Sequence, residues 1–121
     1  MSRTKIDERK VRERVLLRLF RAVTALKTPQ KAKEFLNLLL TPTEKERVAR
    51  RLSILKSLRQ GATYREIRQS LGATDNSIAE MSNLLKEASE SPLETLDKLI
   101  REDLLEKDKS LQFLNHRKTS S

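Results

Sequence analysis

The sequence predicts an all-α protein of about six helices, because helix start and stop signals recur along it and no stretch alternates like a strand. At three places a side-chain oxygen precedes a proline, the order that favours an N-cap followed by the first residue of a helix. These pairs are Thr28-Pro29, Thr41-Pro42 and Ser91-Pro92. The two glycines, Gly61 and Gly72, lie where helices are expected to end, since glycine readily adopts the left-handed conformation found there.

The first three helices are predicted at residues 5–27, 29–40 and 42–59. Each has an apolar face of residues three or four positions apart, the spacing of one side of an α-helix. The third begins with TPTE (41–44), a capping box in which the glutamate accepts a bond from the cap's own N–H. The apolar faces are Val11, Val15, Leu19, Val23 and Leu26, then Ala32, Phe35, Leu36, Leu39 and Leu40, then Val48, Leu52, Leu55 and Leu58.

The last three helices are predicted at residues 63–70, 74–88 and 92–106. TYRE (63–66) and SPLE (91–94) supply capping boxes for the fourth and the sixth. Residues 1–106 are thus expected to form a single helical domain. Its long helices contain many leucines and almost no aromatic residues, a composition that favours burial against another chain and predicts a homodimer. The basic remainder, 107–121, is expected to be a flexible tail.

Composition excludes several classes of protein. The chain has no Cys and no Trp, and its single His lies in the tail, which argues against thiol catalysis, disulfides and Cys/His metal sites. It also lacks a glycine-rich phosphate loop, so no catalytic set can be assembled, and neither an enzyme nor a cofactor is expected. No run of 18 apolar residues and no signal region occurs, so the protein is expected to be soluble and cytoplasmic, with no membrane contact.

The net charge of +9 is segregated along the chain. Residues 1–27 carry nine basic and three acidic groups, and residues 41–70 carry eight basic and three acidic groups. Acidic groups outnumber basic ones in residues 71–88 and 89–106. Solvated helix faces explain scattered charge but not this segregation, so the distribution favours contact with a polyanion such as nucleic acid.

Residues 63–88 have the pattern of a helix-turn-helix, in which two short helices meet at a steep angle and the second enters the major groove of DNA. Gly72 supplies the tight turn, and apolar residues on both sides are spaced to hold the angle. These residues are Ile67, Leu71, Ala73, Ile78 and Met81. An ordinary corner between two helices uses similar residues, but Arg65 and Arg68 on the first helix favour DNA binding.

A resemblance to the Trp repressor family covers residues 35–86, FLNLLLTPTEKERVARRLSILKSLRQGATYREIRQSLGATDNSIAEMSNLLK. The matching elements are LNLLLTP, the E-x-E after it, Arg51, the REI and LGA of the helix-turn-helix, and the closing SN-x-LK. The spacing from Gly61 to Glu66 is similar to that of an uncharacterised Trp-repressor-like branch rather than the tryptophan-sensing one. The resemblance implies an intertwined all-helical homodimer that binds a palindromic operator, with half-sites roughly 34–36 Å apart.

The resemblance also implies which side chains contact DNA. The exposed start of the second helix of the helix-turn-helix, called the reading helix below, would present Thr74, Asp75, Asn76, Ser77 and Ala79. Asn76 can pair with adenine, and Ser77 can reach a base edge or a phosphate. Asp75 is expected either to cap free N–H groups in the first turn or to accept a hydrogen bond from cytosine N4. Backbone phosphates would be bound by Arg65, Arg68 and Lys86.

Tryptophan-sensing members bind their ligand between an arginine of the third helix and an arginine of the reading helix, with a threonine and small residues completing the pocket. Thr41 and Arg51 match this pattern, but Glu80 replaces the second arginine, and Met81 and Leu84 replace small residues. The resemblance therefore implies a remnant pocket without tryptophan as corepressor, because the Glu80 carboxylate would repel that of the ligand. Any other effector is unknown. Glu80 is expected either to form an ion pair with Arg51 or to be simply exposed.

Three classes of function remain. A sequence-specific transcriptional regulator, acting as a repressor on double-stranded DNA, agrees best with the helix-turn-helix, the charge distribution and the resemblance. A weakly specific or architectural DNA-binding protein is the first alternative, and it predicts salt-dependent binding with little sequence preference. A protein-interaction module is the second, and it predicts no affinity for DNA.

Overall fold

A computed structural model describes the backbone of residues 6–119 and the side chains of residues 6–107. Within this part the chain is all-α, as predicted, with six helices and no strand. The helices are α1 (Glu8–Ala25), α2 (Pro29–Leu39), α3 (Pro42–Arg59), α4 (Tyr64–Leu71), α5 (Asp75–Glu87) and α6 (Glu90–Thr119). The chain divides into two compact units, Met1–Lys45 and Glu46–Ser121, and the single domain expected over residues 1–106 stays a prediction.

The first unit contains α1 and α2, and neither helix has a buried residue in the single chain. α1 starts at Glu8 rather than at residue 5, because Asp7 is its N-cap and accepts hydrogen bonds from two backbone N–H groups, at 3.1 and 3.3 Å. Thr28 caps α2 directly in front of Pro29, so the predicted start of that helix is confirmed. The apolar positions predicted along these helices are only partly covered in a single chain: Leu26, Ala32, Phe35, Leu36 and Leu40 are half-buried, and the other five are exposed.

The capping box predicted at the start of α3 is present. The N–H of Thr41 donates to Glu44 Oε1 at 2.8 Å, and the N–H of Glu44 donates to Thr41 Oγ1 at 3.2 Å. The first N–H groups of a helix have no partner within it, so these reciprocal bonds fix where α3 begins.

The second unit has a small apolar core that α3, α4 and α5 build together. Its buried residues are Ile54, Ile67, Ala73, Ile78 and Met81, with Leu55, Leu58, Ala62 and Leu71 partly buried around them. All five residues predicted to hold the helix-turn-helix angle belong to this set. Burying a side chain as large as Ile or Met contributes roughly 1.5–3 kcal/mol, so the core holds α4 and α5 at a fixed angle.

Two ion pairs join α6 to α3. Arg59 donates two hydrogen bonds to Asp97, at 2.9 and 3.1 Å, and Lys56 pairs with Asp103 at 2.6 Å. Hydrogen bonding to Arg59 holds the pKa of Asp97 below its ordinary value, and the same pairing raises the pKa of Arg59. Positions 56 and 59 lie one helical turn apart, so both pairs lie on the face that α3 presents to α6.

The predicted bounds of α6 are wrong at both ends. The helix starts at Glu90, so Pro92 lies inside the first turn, where proline is tolerated because the N–H groups there have no partner within the helix. It continues to Thr119 rather than ending at residue 106, since no Gly or Pro follows Pro92 to end it. The side chains beyond residue 107, His116 among them, lie outside the described residues, and the flexibility expected for 107–121 stays a prediction. Within residues 6–119, no helix is long and apolar enough to cross a membrane.

Candidate nucleic-acid interface

The turn between α4 and α5 consists of three residues, and each end of it is fixed by a specific backbone interaction. Gly72 has a φ of +64°, in the left-handed region, and its N–H donates to the carbonyl of Arg68 at 3.0 Å. Thr74 caps α5, with its Oγ1 accepting from the N–H of Ser77 at 3.2 Å. Glycine is the residue that takes a positive φ without steric strain, so Gly72 sets the abrupt change of direction.

The capping box of α4 fixes the other end of the first helix. The N–H of Thr63 donates to Glu66 Oε1 at 3.0 Å, and the N–H of Glu66 donates to Thr63 Oγ1 at 3.1 Å. The hydrogen bonds from Thr63 stabilise the charged carboxylate and lower the pKa of Glu66. α4 is thus held at both ends, although it spans only Tyr64–Leu71.

Burial of one face of α5 decides which face is available to DNA. Ile78 and Met81, three residues apart, are buried against Ile67 of α4. Asn76 and Glu80, four residues apart, share an exposed face of the same helix. The core contacts therefore determine the rotation of α5 about its own axis and present its polar first turn to the solvent.

The start of α5 contains the five predicted reading residues, but they are not equivalent. Thr74 is the N-cap, and its hydroxyl also donates to Ser77 Oγ at 3.0 Å. Asn76 is exposed and forms no side-chain hydrogen bond within the described residues. Ser77 and Ala79 are half-buried. Asp75 lies in the first turn, as expected, but within the described residues its carboxylate accepts from Arg68 rather than from the free N–H groups of that turn.

The three predicted phosphate-binding cations differ in the partners they have. Arg65 and Lys86 are exposed and form no ion pair within the described part of the chain. Arg68, in contrast, pairs across the turn with Asp75, with 2.5 Å between Nη1 and Oδ1. The side chains of this pair remain 44% and 65% exposed, so water and DNA can both reach them. This pair was not predicted from the sequence. The available signal was that Arg68 and Asp75 carry opposite charges and lie seven positions apart, on either side of Gly72.

The residues of the expected remnant pocket lie in different surroundings. Thr41 caps α3, Met81 belongs to the buried core, and Leu84 is 45% exposed on α5. Arg51 and Glu80 are both exposed, and neither forms an ion pair within the described residues. Of the two expectations for Glu80, simple exposure describes the single chain, and the structure does not bring Glu80 together with Arg51.

Comparisons with known proteins agree with this arrangement. The model of the family described as Trp repressor protein matches residues 14–100, which include all of α2, α3, α4 and α5. The chain is 29% identical over 90 residues to the uncharacterized protein YerC of Bacillus subtilis (strain 168), covering 74% of this chain and 86% of YerC. It is also similar to the crystal structure of "a putative Trp repressor from Staphylococcus aureus", with a TM-score of 0.67 and 27% identity. That match covers 78% of this chain and 95% of the other.

Proposed function

This chain belongs to the Trp repressor family of DNA-binding regulators, and on that premise we propose that it is a sequence-specific transcriptional regulator. It acts on a palindromic operator as a homodimer, and as a repressor when the operator overlaps a promoter. The family consists of regulators rather than enzymes, and we place this regulator in the cytoplasm. The observation that carries the proposal is the exposed polar first turn of α5, which buried Ile67, Ile78 and Met81 hold in a fixed orientation.

Asn76 is exposed, Ser77 and Ala79 are half-buried, and each has a DNA contact that suits its chemistry. Asn76 pairs with adenine through its amide, Ser77 reaches a base edge or phosphate, and the methyl group of Ala79 packs against thymine. The cations Arg65 and Lys86 bind phosphates, which fixes the register of the protein on DNA without choosing a sequence. Thr74 orients the turn by capping it. Ordered water carries some of the base contacts, as is common in such interfaces.

The homodimer is supported by the apolar side chains that a single chain leaves exposed. Phe20 on α1 is 59% exposed and Leu38 on α2 is 85% exposed, and neither helix buries any residue. Further large apolar side chains are exposed along α1, α3 and α6, at Val11, Val15, Leu16, Leu17, Leu19, Val23, Val48, Leu52, Leu104 and Leu105. Scattered apolar residues are ordinary on protein surfaces, but this number along helix faces indicates an interface with a second copy. A two-fold dimer would then place two copies of α5 in successive major grooves.

Tryptophan is not the corepressor in this proposal. Glu80 stands where tryptophan-sensing members have a ligand-binding arginine, and its exposed carboxylate repels a ligand carboxylate. The Met81 side chain packs into the core of the helix-turn-helix, so that core needs no ligand to complete it. The regulator therefore binds its operator without a ligand.

The test is selection of bound fragments from the source genome by purified protein without added ligand, followed by sequencing. The proposal predicts enrichment of one palindromic site with half-sites about one helical turn apart. The variant Asn76→Ala should lose that enrichment, whereas Arg12→Gln, which changes an exposed residue of α1, should keep it. Recovery of DNA without a common site would favour the architectural alternative. No recovery at low salt would favour a protein-interaction module.

A further inference from the structure

The ion pair between Arg68 and Asp75 connects the two helices of the helix-turn-helix beside the exposed first turn of α5. Arg68 lies in the last turn of α4, and Asp75 is the first residue of α5. Their side chains meet at 2.5 Å and stay largely exposed. A pair this exposed contributes little to folding, because water and salt screen it. Opening the pair therefore costs little, so both side chains can exchange it for partners on DNA.

Asp75 is not needed to start α5. Thr74 caps the helix through the N–H of Ser77, so the carboxylate of Asp75 is available for another partner. In the free protein that partner is Arg68, whose charge would otherwise bind a phosphate. Arg65, one turn earlier on α4, is exposed and has no partner within the described residues, so it offers an internal comparison.

We infer that Asp75 determines specificity by withholding Arg68 from phosphates until the carboxylate meets cytosine in the major groove. The inference rests on the proposed DNA-binding function. On non-operator DNA the pair stays closed and Arg68 adds little to affinity. On an operator, the N4 amino group of cytosine donates to the carboxylate, since this is the base-edge donor that aspartate prefers. Arg68 then turns to a phosphate, so that one base contact and one backbone contact form together.

Removal of the Asp75 carboxylate changes DNA affinity in one of two ways, and they differ in what Arg68 contributes. A lost negative charge alone would strengthen binding without changing what Arg68 contributes. Release of Arg68 would instead add one phosphate contact, which steepens the dependence of log affinity on log salt by about 0.9. The effect of Arg68→Gln should then be larger in the Asp75→Asn protein than in the native one. The effect of Arg65→Gln should be equal in both.

The experiment measures affinity for a duplex without the operator by fluorescence anisotropy, from about 50 to 200 mM salt, the range over which phosphate contacts dominate. The proteins are the full-length native chain, Asp75→Asn, Arg68→Gln, Arg65→Gln and the two double variants with Asp75→Asn. Asp75→Ala, whose side chain has no hydrogen-bond acceptor, is a second variant for the same position, and circular dichroism checks that each variant folds. In parallel, native and Asp75→Ala proteins each select sites from a random duplex library.

The expected result has two parts. Asp75→Asn binds the non-operator duplex more tightly with a salt slope steeper by about 0.9, and Arg68→Gln removes that gain. Sites selected by the native protein have one cytosine per half-site that those selected by Asp75→Ala lack. Equal effects of Arg68→Gln in the native and Asp75→Asn backgrounds, or retention of the cytosine by Asp75→Ala, overturn the inference while the proposed function stands. A native protein without affinity for any duplex at the lowest salt overturns the proposed function and the inference with it.

Discussion

Truncation of Ile78 tests whether a buried core holds the reading helix in place. Ile78 is fully buried, and it packs among Ile54, Ile67, Ala73 and Met81. Replacing it by alanine removes three carbon atoms at roughly 0.8 kcal/mol each, and the cavity left behind adds to that loss. We therefore expect Ile78→Ala to lower the free energy of unfolding by about 3 kcal/mol, and Ile78→Val by about 1 kcal/mol.

The assay is urea unfolding followed by helical circular dichroism, with all proteins at one concentration because a dimer's stability depends on concentration. Asn83→Ala is the control, since Asn83 is exposed on the same helix and alanine changes only helix propensity, by under about 0.7 kcal/mol. A loss of about 3 kcal/mol is a large share of a typical stability of roughly 5–15 kcal/mol. If Ile78→Ala changes the free energy of unfolding by no more than Asn83→Ala does, the packing described for the helix-turn-helix is incorrect.

Four further results are expected. Arg59 lowers the pKa of Asp97 in the native state, so the pair stabilises the fold above the pKa that this carboxyl has when unfolded. The stabilisation is lost as pH falls through the native pKa of Asp97. Asp97→Asn should therefore flatten the acid side of a plot of unfolding free energy against pH. Gly72→Ala should destabilise by about 1–2 kcal/mol in urea unfolding, from backbone strain alone, since a Cβ there would meet no atom within 4 Å. Phe20→Glu should shift the mass measured by light scattering from dimer to monomer, whereas Arg12→Gln should leave it unchanged. Tryptophan should produce no binding heat in calorimetry with the native protein, because Glu80 repels the carboxylate of the ligand.

Each of these expectations has a result that would contradict it. Native and Asp97→Asn proteins with parallel acid profiles would show that the pair does not contribute. A stability of Gly72→Ala equal to that of the native chain would mean that the turn can adopt another conformation. If light scattering shows that the native protein is a monomer, the proposed homodimer is wrong. If tryptophan binds in the micromolar range, the proposal that it is not the corepressor is wrong.

The sequence predicts helix starts well where a local signal decides them. Thr28, Thr41, Thr63 and Thr74 each cap a helix through its own first turn, and these bonds join residues only a few positions apart. The last helix is an exception at its start as well as its end: SPLE (91–94) predicts a start at residue 92, but the helix begins at Glu90, and no local signal ends it before Thr119. Fold class and the core of the helix-turn-helix follow from such local patterns.

The side-chain partners across the turn were harder to predict, because they depend on the angle between α4 and α5. That angle is set by Gly72 together with the burial of Ile67 and Ile78, and it brings Asp75 beside Arg68. From the sequence we instead expected, as one alternative, an ion pair between Arg51 on α3 and Glu80 on α5. The two side chains do not pair in the single chain. Charge complementarity in a sequence identifies candidates for ion pairs, but only the packing decides which candidates meet.

Above all, we propose that this member of the Trp repressor family reads a specific DNA sequence without a ligand. The most direct test compares affinities for the selected palindrome and for a scrambled duplex of the same composition, at physiological salt and without added effector. We expect the palindrome to bind at least about 10³-fold more tightly, the lower end of the range for specific regulators. Equal affinities for the two duplexes would contradict it.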